Sequence, residues 1–145
     1  MGDYYLVVNP RNQAPDENHA PYPRTYFPSA SEPGQATKIV VTEGAKLENL
    51  TLRLGQPWKE RTVSGSVVWH DGRSVKDAHI SLYDGDRYVR LIKVDDKGKF
   101  SFKVYGDFKY AIEAANWGKI QGRSARVSIT ESNSKPLKLV LKRVE

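Results

Sequence analysis

Large apolar residues alternate with polar ones through residues 94–114, VDDKGKFSFKVYGDFKYAIEA. Phe100 and Phe102 sit at strand spacing, followed by Phe108, Tyr110 and Ile112, and all five fall on even numbers. Such alternation places one set of side chains inside and the other in water. Asp95-Asp96-Lys97-Gly98 and Gly106-Asp107 supply the tight turns that bound the first run. The pattern predicts a β-meander with one inward face, covered by the flanking segments.

The same reading extends along the chain. Residues 62–69, TVSGSVVW, read as a strand with Val63, Gly65, Val67 and Trp69 on one face and Trp69 buried. A glycine inside a strand marks a close backbone approach or a bulge. Asp71-Gly72 is a hairpin-type turn. Ala78, Ile80 and Leu82 then alternate with His79, Ser81 and Tyr83, and Asp84-Gly85-Asp86 turns the chain again. Val89, Leu91 and Ile92 lead into residues 94–114, residues 115–122 form a loop around Trp117-Gly118, and residues 126–130 and 137–141 are two final strands.

Upstream, residues 2–8 form a short β-rich run. Pro10, Pro15, Pro21, Pro23, Pro28 and Pro33 then forbid helix and central strand. The centre of this loop, PYPRTYFP, reads as extended and partly polyproline II, with Tyr22, Tyr26 and Phe27 laid against a sheet. Residues 36–42 form a strand. Leu50, Leu52 and Leu54 mark another, ended by Gly55-Gln56-Pro57. No segment carries apolar residues at helical spacing over three turns. The expected fold is an all-β antiparallel β-sandwich with Val63, Val67, Ala78, Ile80, Leu82, Phe100, Phe102, Tyr110, Ile112, Val127, Ile129, Leu139 and Leu141 inside.

The chain also matches itself. Gly2-Asp3-Tyr4-Tyr5-Leu6 parallels Gly106-Asp107-Phe108-Lys109-Tyr110. TKIVVTE, starting at Thr37, parallels ARVSITE, starting at Ala125. Leu50, Leu52 and Leu54 parallel Leu137, Leu139 and Leu141. Three matches in one order predict a repeat. Residues 1–57 then hold the C-terminal strands of an upstream repeat plus the proline-rich loop, and 58–145 a complete module of about seven strands. On this reading the chain is a piece of a longer tandem protein. The alternative is one larger sandwich whose strands look alike. The orphan face of Leu6, Val8, Ile39, Val41, Leu50, Leu52 and Leu54 is expected to fold back on residues 58–145 or to pair with a second chain.

Composition narrows the function. The net charge is +6, but 23 basic and 17 acidic residues are interleaved. That distribution suits solvated strand faces better than a nucleic-acid surface, and no RNA-binding or OB-fold signature is present. Cysteine is absent, so there is neither a disulfide nor a thiolate metal site. No apolar run reaches membrane-helix length, and MGDYYLVVNPRN lacks the features of a signal peptide.

Certain of these residues are familiar in combination. Thr62-Val63-Ser64-Gly65-Ser66-Val67, Asp71-Gly72, Val75 and Ala78-His79-Ile80-Ser81-Leu82 resemble the opening of a carboxypeptidase regulatory-like domain. Asp95-x-x-Gly98-x-Phe100-x-Phe102 with Gly106 resembles its central motif. Tyr26-Phe27-Pro28 with Ala36, Ile39, Gly44 and the Leu50–Leu52–Leu54 pattern resembles the end of such a repeat in large bacterial surface proteins. Related transthyretin-like and collagen-adhesin B-type repeats share the pattern. Val104-Tyr105 departs from it, since the family often carries proline before the glycine. The resemblance implies a prealbumin-like, immunoglobulin-like sandwich that is non-catalytic and extracytoplasmic. Such a module acts as a spacer or binding unit joined to other domains of its parent protein.

Candidate chemistry is sparse. Asp84, Asp86, Asp95 and Asp96 lie at opposite ends of one strand, where turn chemistry explains them better than calcium does. His19, His70 and His79 adjoin no nucleophile motif, and His79 alternates with core residues. Glu113 has the parity of a solvent-facing residue and completes no isopeptide triad. No catalytic, cofactor or metal residues are expected. Trp117, Tyr83 and Tyr88 are the candidate ligand-binding residues, for polysaccharide or protein. An exposed Trp117 favours binding, whereas a plug over the end of the sandwich favours a structural role. The chain is expected to be a monomer or weak dimer.

Overall fold

The computed structural model describes residues 1–130 and 135–144. Among the described residues the fold is all-β apart from one 3-10 turn, Pro33–Gln35. The chain divides into two compact units, Met1–Lys59 and Glu60–Glu145.

In the first unit, β1 (Gly2–Tyr4) pairs antiparallel with β4 (Ile39–Val41), and β2 (Val7–Val8) with β3 (Thr25–Tyr26). The centre of the proline-rich loop is thus a ladder partner, and Thr25 is buried. Asn9 pins the loop by donating from Nδ2 to the carbonyls of Gln13 and Tyr22, both at 3.1 Å. Residues 47–54 are not a strand. Asn49 has φ +62, which breaks the extended run, and Leu47, Leu50 and Leu54 are exposed. Alternation there describes leucine spacing without a ladder to hold it.

The second unit carries the main core. Its strands are β5 (Glu60–Trp69), β6 (Ala78–Asp84), β7 (Arg87–Lys93), β8 (Lys99–Tyr105), β9 (Tyr110–Asn116), β10 (Gly122–Arg123), β11 (Val127–Ser128) and β12 (Leu137–Arg143). They run in the order β7-β6-β9-β10-β12-β5-β8, with β11 also on β9, in a sheet nearly closed into a barrel-like sandwich. Arg90 joins the two ends of this path. Its Nη2 donates to the Lys103 carbonyl at 2.9 Å, and its guanidinium lies 6.0 Å from the centre of the Phe102 ring.

The topology corrects two expectations. Residues 94–114 are not a meander, because β8 pairs with β5 and β9 with β6. Each turn joins strands that do not pair with one another. Alternation reports which face is buried and not which strand lies alongside. The sheet is also not wholly antiparallel: β12 runs parallel to β5, with Leu137 opposite Gly65 and Leu141 opposite Trp69. Of the core residues expected from sequence, all are buried except Val127, which is half-buried on the short β11. Val75, Val89, Ile92, Val104, Ala111 and Ala114 join them. The β6–β7 register shifts by one at Val89, so Val89 and Ile92 both face inward and Leu91 outward. Trp69 is half-buried, and its ring fills the space where a side chain at Gly122 would be.

Tyr110 fixes the second turn. Its hydroxyl donates to the Tyr105 carbonyl at 2.7 Å, and the ring is buried. Burial raises the phenol above its ordinary pKa, and the Tyr105 backbone bond partly opposes this. A raised value in the folded state stabilises fully below the unfolded pKa of about 10 and fades as pH rises through the folded one. Tyr110→Phe should therefore cost about 1 kcal/mol at neutral pH. It should also flatten the loss of stability above about pH 10. Urea unfolding of both proteins across that range checks both effects.

Candidate functional site

The outer face of β6, β7 and β9 is built by strand parity. With Ile80, Leu82, Ile112 and Ala114 inside, His79, Ser81, Tyr83, Glu113 and Ala115 point outward. Cross-strand pairing sets Ser81 beside Glu113, His79 beside Ala115 and Tyr83 beside Ala111. The bulge at Val89 brings Tyr88 opposite Tyr83, where the rings meet edge-on at 6.1 Å.

Residues 122–128 return along the other side of β9 with a second irregularity. Arg123 pairs with Ala115 and Val127 with Ile112, so four steps on one strand match three on the other. Ser124 occupies the break: its Oγ accepts the Ala114 N–H at 2.9 Å and donates to the Ala125 carbonyl at 2.8 Å. The extra residue lets Arg123 and Arg126 reach one face, although three residues apart they would oppose each other in a regular strand.

Both arginines meet Glu113. Arg123 Nε lies 3.1 Å from Oε1 and Arg126 Nε 3.6 Å from Oε2. The Arg126 guanidinium lies 3.8 Å from the centre of the Tyr83 ring, and that of Arg123 5.9 Å from the centre of Trp117. The result is a row across the outer face: Trp117, Arg123, Glu113, Arg126, Tyr83, Tyr88. Asn116 holds the Trp117 end, its Nδ2 donating to the Lys76 carbonyl at 2.6 Å and its Oδ1 accepting the Gly118 N–H at 2.7 Å.

Trp117 is 63% exposed and Tyr88 52%, whereas Tyr83 is half-buried beneath Arg126. Trp117 therefore does not plug the sandwich. The three aromatics expected to bind lie at the two ends of one row, not on one platform. Along β9 alone, the five strand steps from Ala111, opposite Tyr83, to Asn116, next to Trp117, span about 17 Å. Glu113 does face outward, but the arginines cover it. His79 lies on the same outer face with its Nδ1 buried and unpaired.

The remaining candidates are structural. Asp95 Oδ1 accepts the N–H groups of Lys97 and Lys99, and Asp84 Oδ1 accepts that of Lys109. Among the described residues no three His, Cys, Asp or Glu side chains converge as a metal site would need. Asp71 is held below the usual carboxylate range by its hydrogen bonds from Arg73, in an exposed turn. His19 bonds Asp16 in a turn of the first unit. A concavity of about 500 Å³ opens beside the second turn, its lining including Arg61, Asp107, Lys109, Tyr110 and Ile129. No helix among the described residues is long and apolar enough to cross a membrane. Comparison of the chain with protein-family models, with curated proteins and with solved structures found no match.

Proposed function

We propose that residues 60–145 serve as a non-catalytic structural module, a spacer of the carboxypeptidase regulatory-like kind in a larger extracytoplasmic protein. The supporting observation is the parallel pairing of β5 with β12, the first and last strands of the unit. Tension applied through the two ends of the unit draws β5 toward its start and β12 toward its end. The ladder is then loaded along its length, and its hydrogen bonds must fail together instead of opening one by one. On its other flank β5 is held by β8 over seven register pairs, Glu60 with Tyr105 to Ser66 with Lys99. A strand clamped on both sides suits a unit that transmits force.

Single-molecule pulling tests this. The chain has no cysteine, so handles can be placed at introduced ones. Pulling through Lys59→Cys and Val144→Cys should need severalfold more force than pulling through Lys76→Cys and Lys93→Cys, which peels the edge strand β7. Equal forces in the two geometries would overturn the spacer reading. A second reading, a carbohydrate- or peptide-binding module, is favoured by the exposure of Trp117 and Tyr88 at the ends of one arginine-bridged row.

A further inference from the structure

Resting on that second reading, we propose that the outer face of β6, β7 and β9 binds an acidic polysaccharide lying along the row from Trp117 to Tyr88. Donors outnumber acceptors between the two arginines and Glu113. Each guanidinium carries five N–H groups in a planar fork, whereas the single carboxylate of Glu113 offers about four acceptor positions. Arg123 and Arg126 are 56% and 40% exposed in their side chains, so each keeps contact with solvent while paired with Glu113. Lys93, opposite His79 on the same face, adds a further cation. Among the described residues of these strands and of the segment paired with β9, Arg123, Arg126 and Lys93 set three cations against the one carboxylate of Glu113.

The rings supply the other half of the chemistry. Sugar rings present C–H faces that lie against exposed aromatic rings, and Trp117 and Tyr88 offer such rings at the two ends. Carboxylate or sulfate groups along the polymer would meet the guanidinium groups between them, where planar forks pair with such anions bidentately. The row extends over at least the five steps of β9 from Ala111 to Asn116, about 17 Å, which fits an extended chain of several sugars better than a compact small molecule. An acidic peptide could use the same charges. A peptide gains affinity chiefly by pairing its backbone with a free sheet edge, whereas Tyr83, Glu113 and Arg123 lie on the interior strands β6, β9 and β10.

The test uses the full chain on an array of uronate-bearing, sulfated and neutral oligosaccharides, with poly-glutamate as the peptide arm. Hits are measured by titration calorimetry in low salt and at about 0.15 M ionic strength. Acidic oligosaccharides should bind and should weaken in the higher salt. Trp117→Ala and Tyr88→Ala should each weaken them about tenfold with the melting temperature unchanged. Arg123→Gln with Arg126→Gln should abolish the preference for acidic over neutral sugars. Glu113→Gln should tighten acidic ligands, a change that loss of structure would not produce. Neutral sugars binding as tightly, with no effect of the arginine substitutions, would overturn the acidic assignment while keeping the binding reading. Poly-glutamate binding through the same residues in place of sugars would overturn the polysaccharide. Silence from every ligand would overturn both, and the pulling experiment would still judge the spacer reading separately.

Discussion

Gly65→Ala is expected to be among the most damaging single substitutions in the chain. Gly65 is buried on β5, between Phe100 of β8 and Leu137 of β12. A Cβ built there overlaps the Leu137 carbonyl oxygen and comes within 2.7 Å of Phe100 Cζ. The oxygen belongs to the backbone of a neighbouring strand, so it cannot swing aside. The Phe100 ring covers the glycine and supplies the packing that its missing side chain does not. Overpacking a tight site typically costs 1–3 kcal/mol, and with backbone as the obstacle about 3 kcal/mol is expected. In a unit of this size that corresponds to a fall of about 15 °C in the melting temperature. Gly34→Ala, with nothing within 4 Å of the added carbon, should change little. Scanning calorimetry of the two variants makes the comparison. Because Gly65 lies in the β5–β12 contact, its substitution should also lower the pulling force through the ends of the unit.

Removal of β12 should have a still larger effect. Ending the chain at residue 136 deletes an interior strand, held between β5 and β10. It strips out Leu139 and Leu141, 1% and 0% exposed, and opens two unpaired strand edges. Burial of each leucine is worth about 1.5–3 kcal/mol, and the cavities left behind add to the loss. Together with the lost ladder this approaches the whole stability of an ordinary domain, about 5–15 kcal/mol. The shortened chain should show no cooperative unfolding transition by circular dichroism. Leu141→Ala alone should cost about 2–5 kcal/mol and leave a folded protein. A cooperative transition in the shortened chain would show that β12 is dispensable and that the spacer argument has lost its footing.

The inner face of the second unit was legible in the sequence, because burial follows parity. Phe100, Phe102, Ile80, Leu82, Leu139 and Leu141 lie where alternation puts them. Pairing was not legible. The turns at Gly98 and Gly106 have positive φ, as tight turns require, yet each carries the chain between strands that do not pair with one another. A turn residue states that the chain reverses and not which ladder it joins. The same limit hid the site. Trp117, Tyr83 and Tyr88 can be picked out as aromatic outliers, but Arg123 and Arg126 have opposite parity and share a face only through the bulge at Ser124. The signal that could have found them is the pairing of residues 122–128 with β9 across the Trp117-Gly118 turn, with Glu113 as the nearest carboxylate. In the first unit the alternation of Leu50, Leu52 and Leu54 misled because no strand ladder pairs those residues, and Asn49 just before them turns the backbone out of the extended region.

Residues 60–145, with their own core and their own paired end strands, are expected to fold without the first unit. Producing residues 60–145 alone and following thermal unfolding together with amide hydrogen exchange tests it most directly. The account expects one cooperative transition, with the slowest exchange in β5, β6, β9 and β12, where the fully buried side chains Val67, Ile80, Ile112 and Leu141 lie. A fragment that unfolds without a transition, or that gains protection only when residues 1–59 are restored, would contradict it.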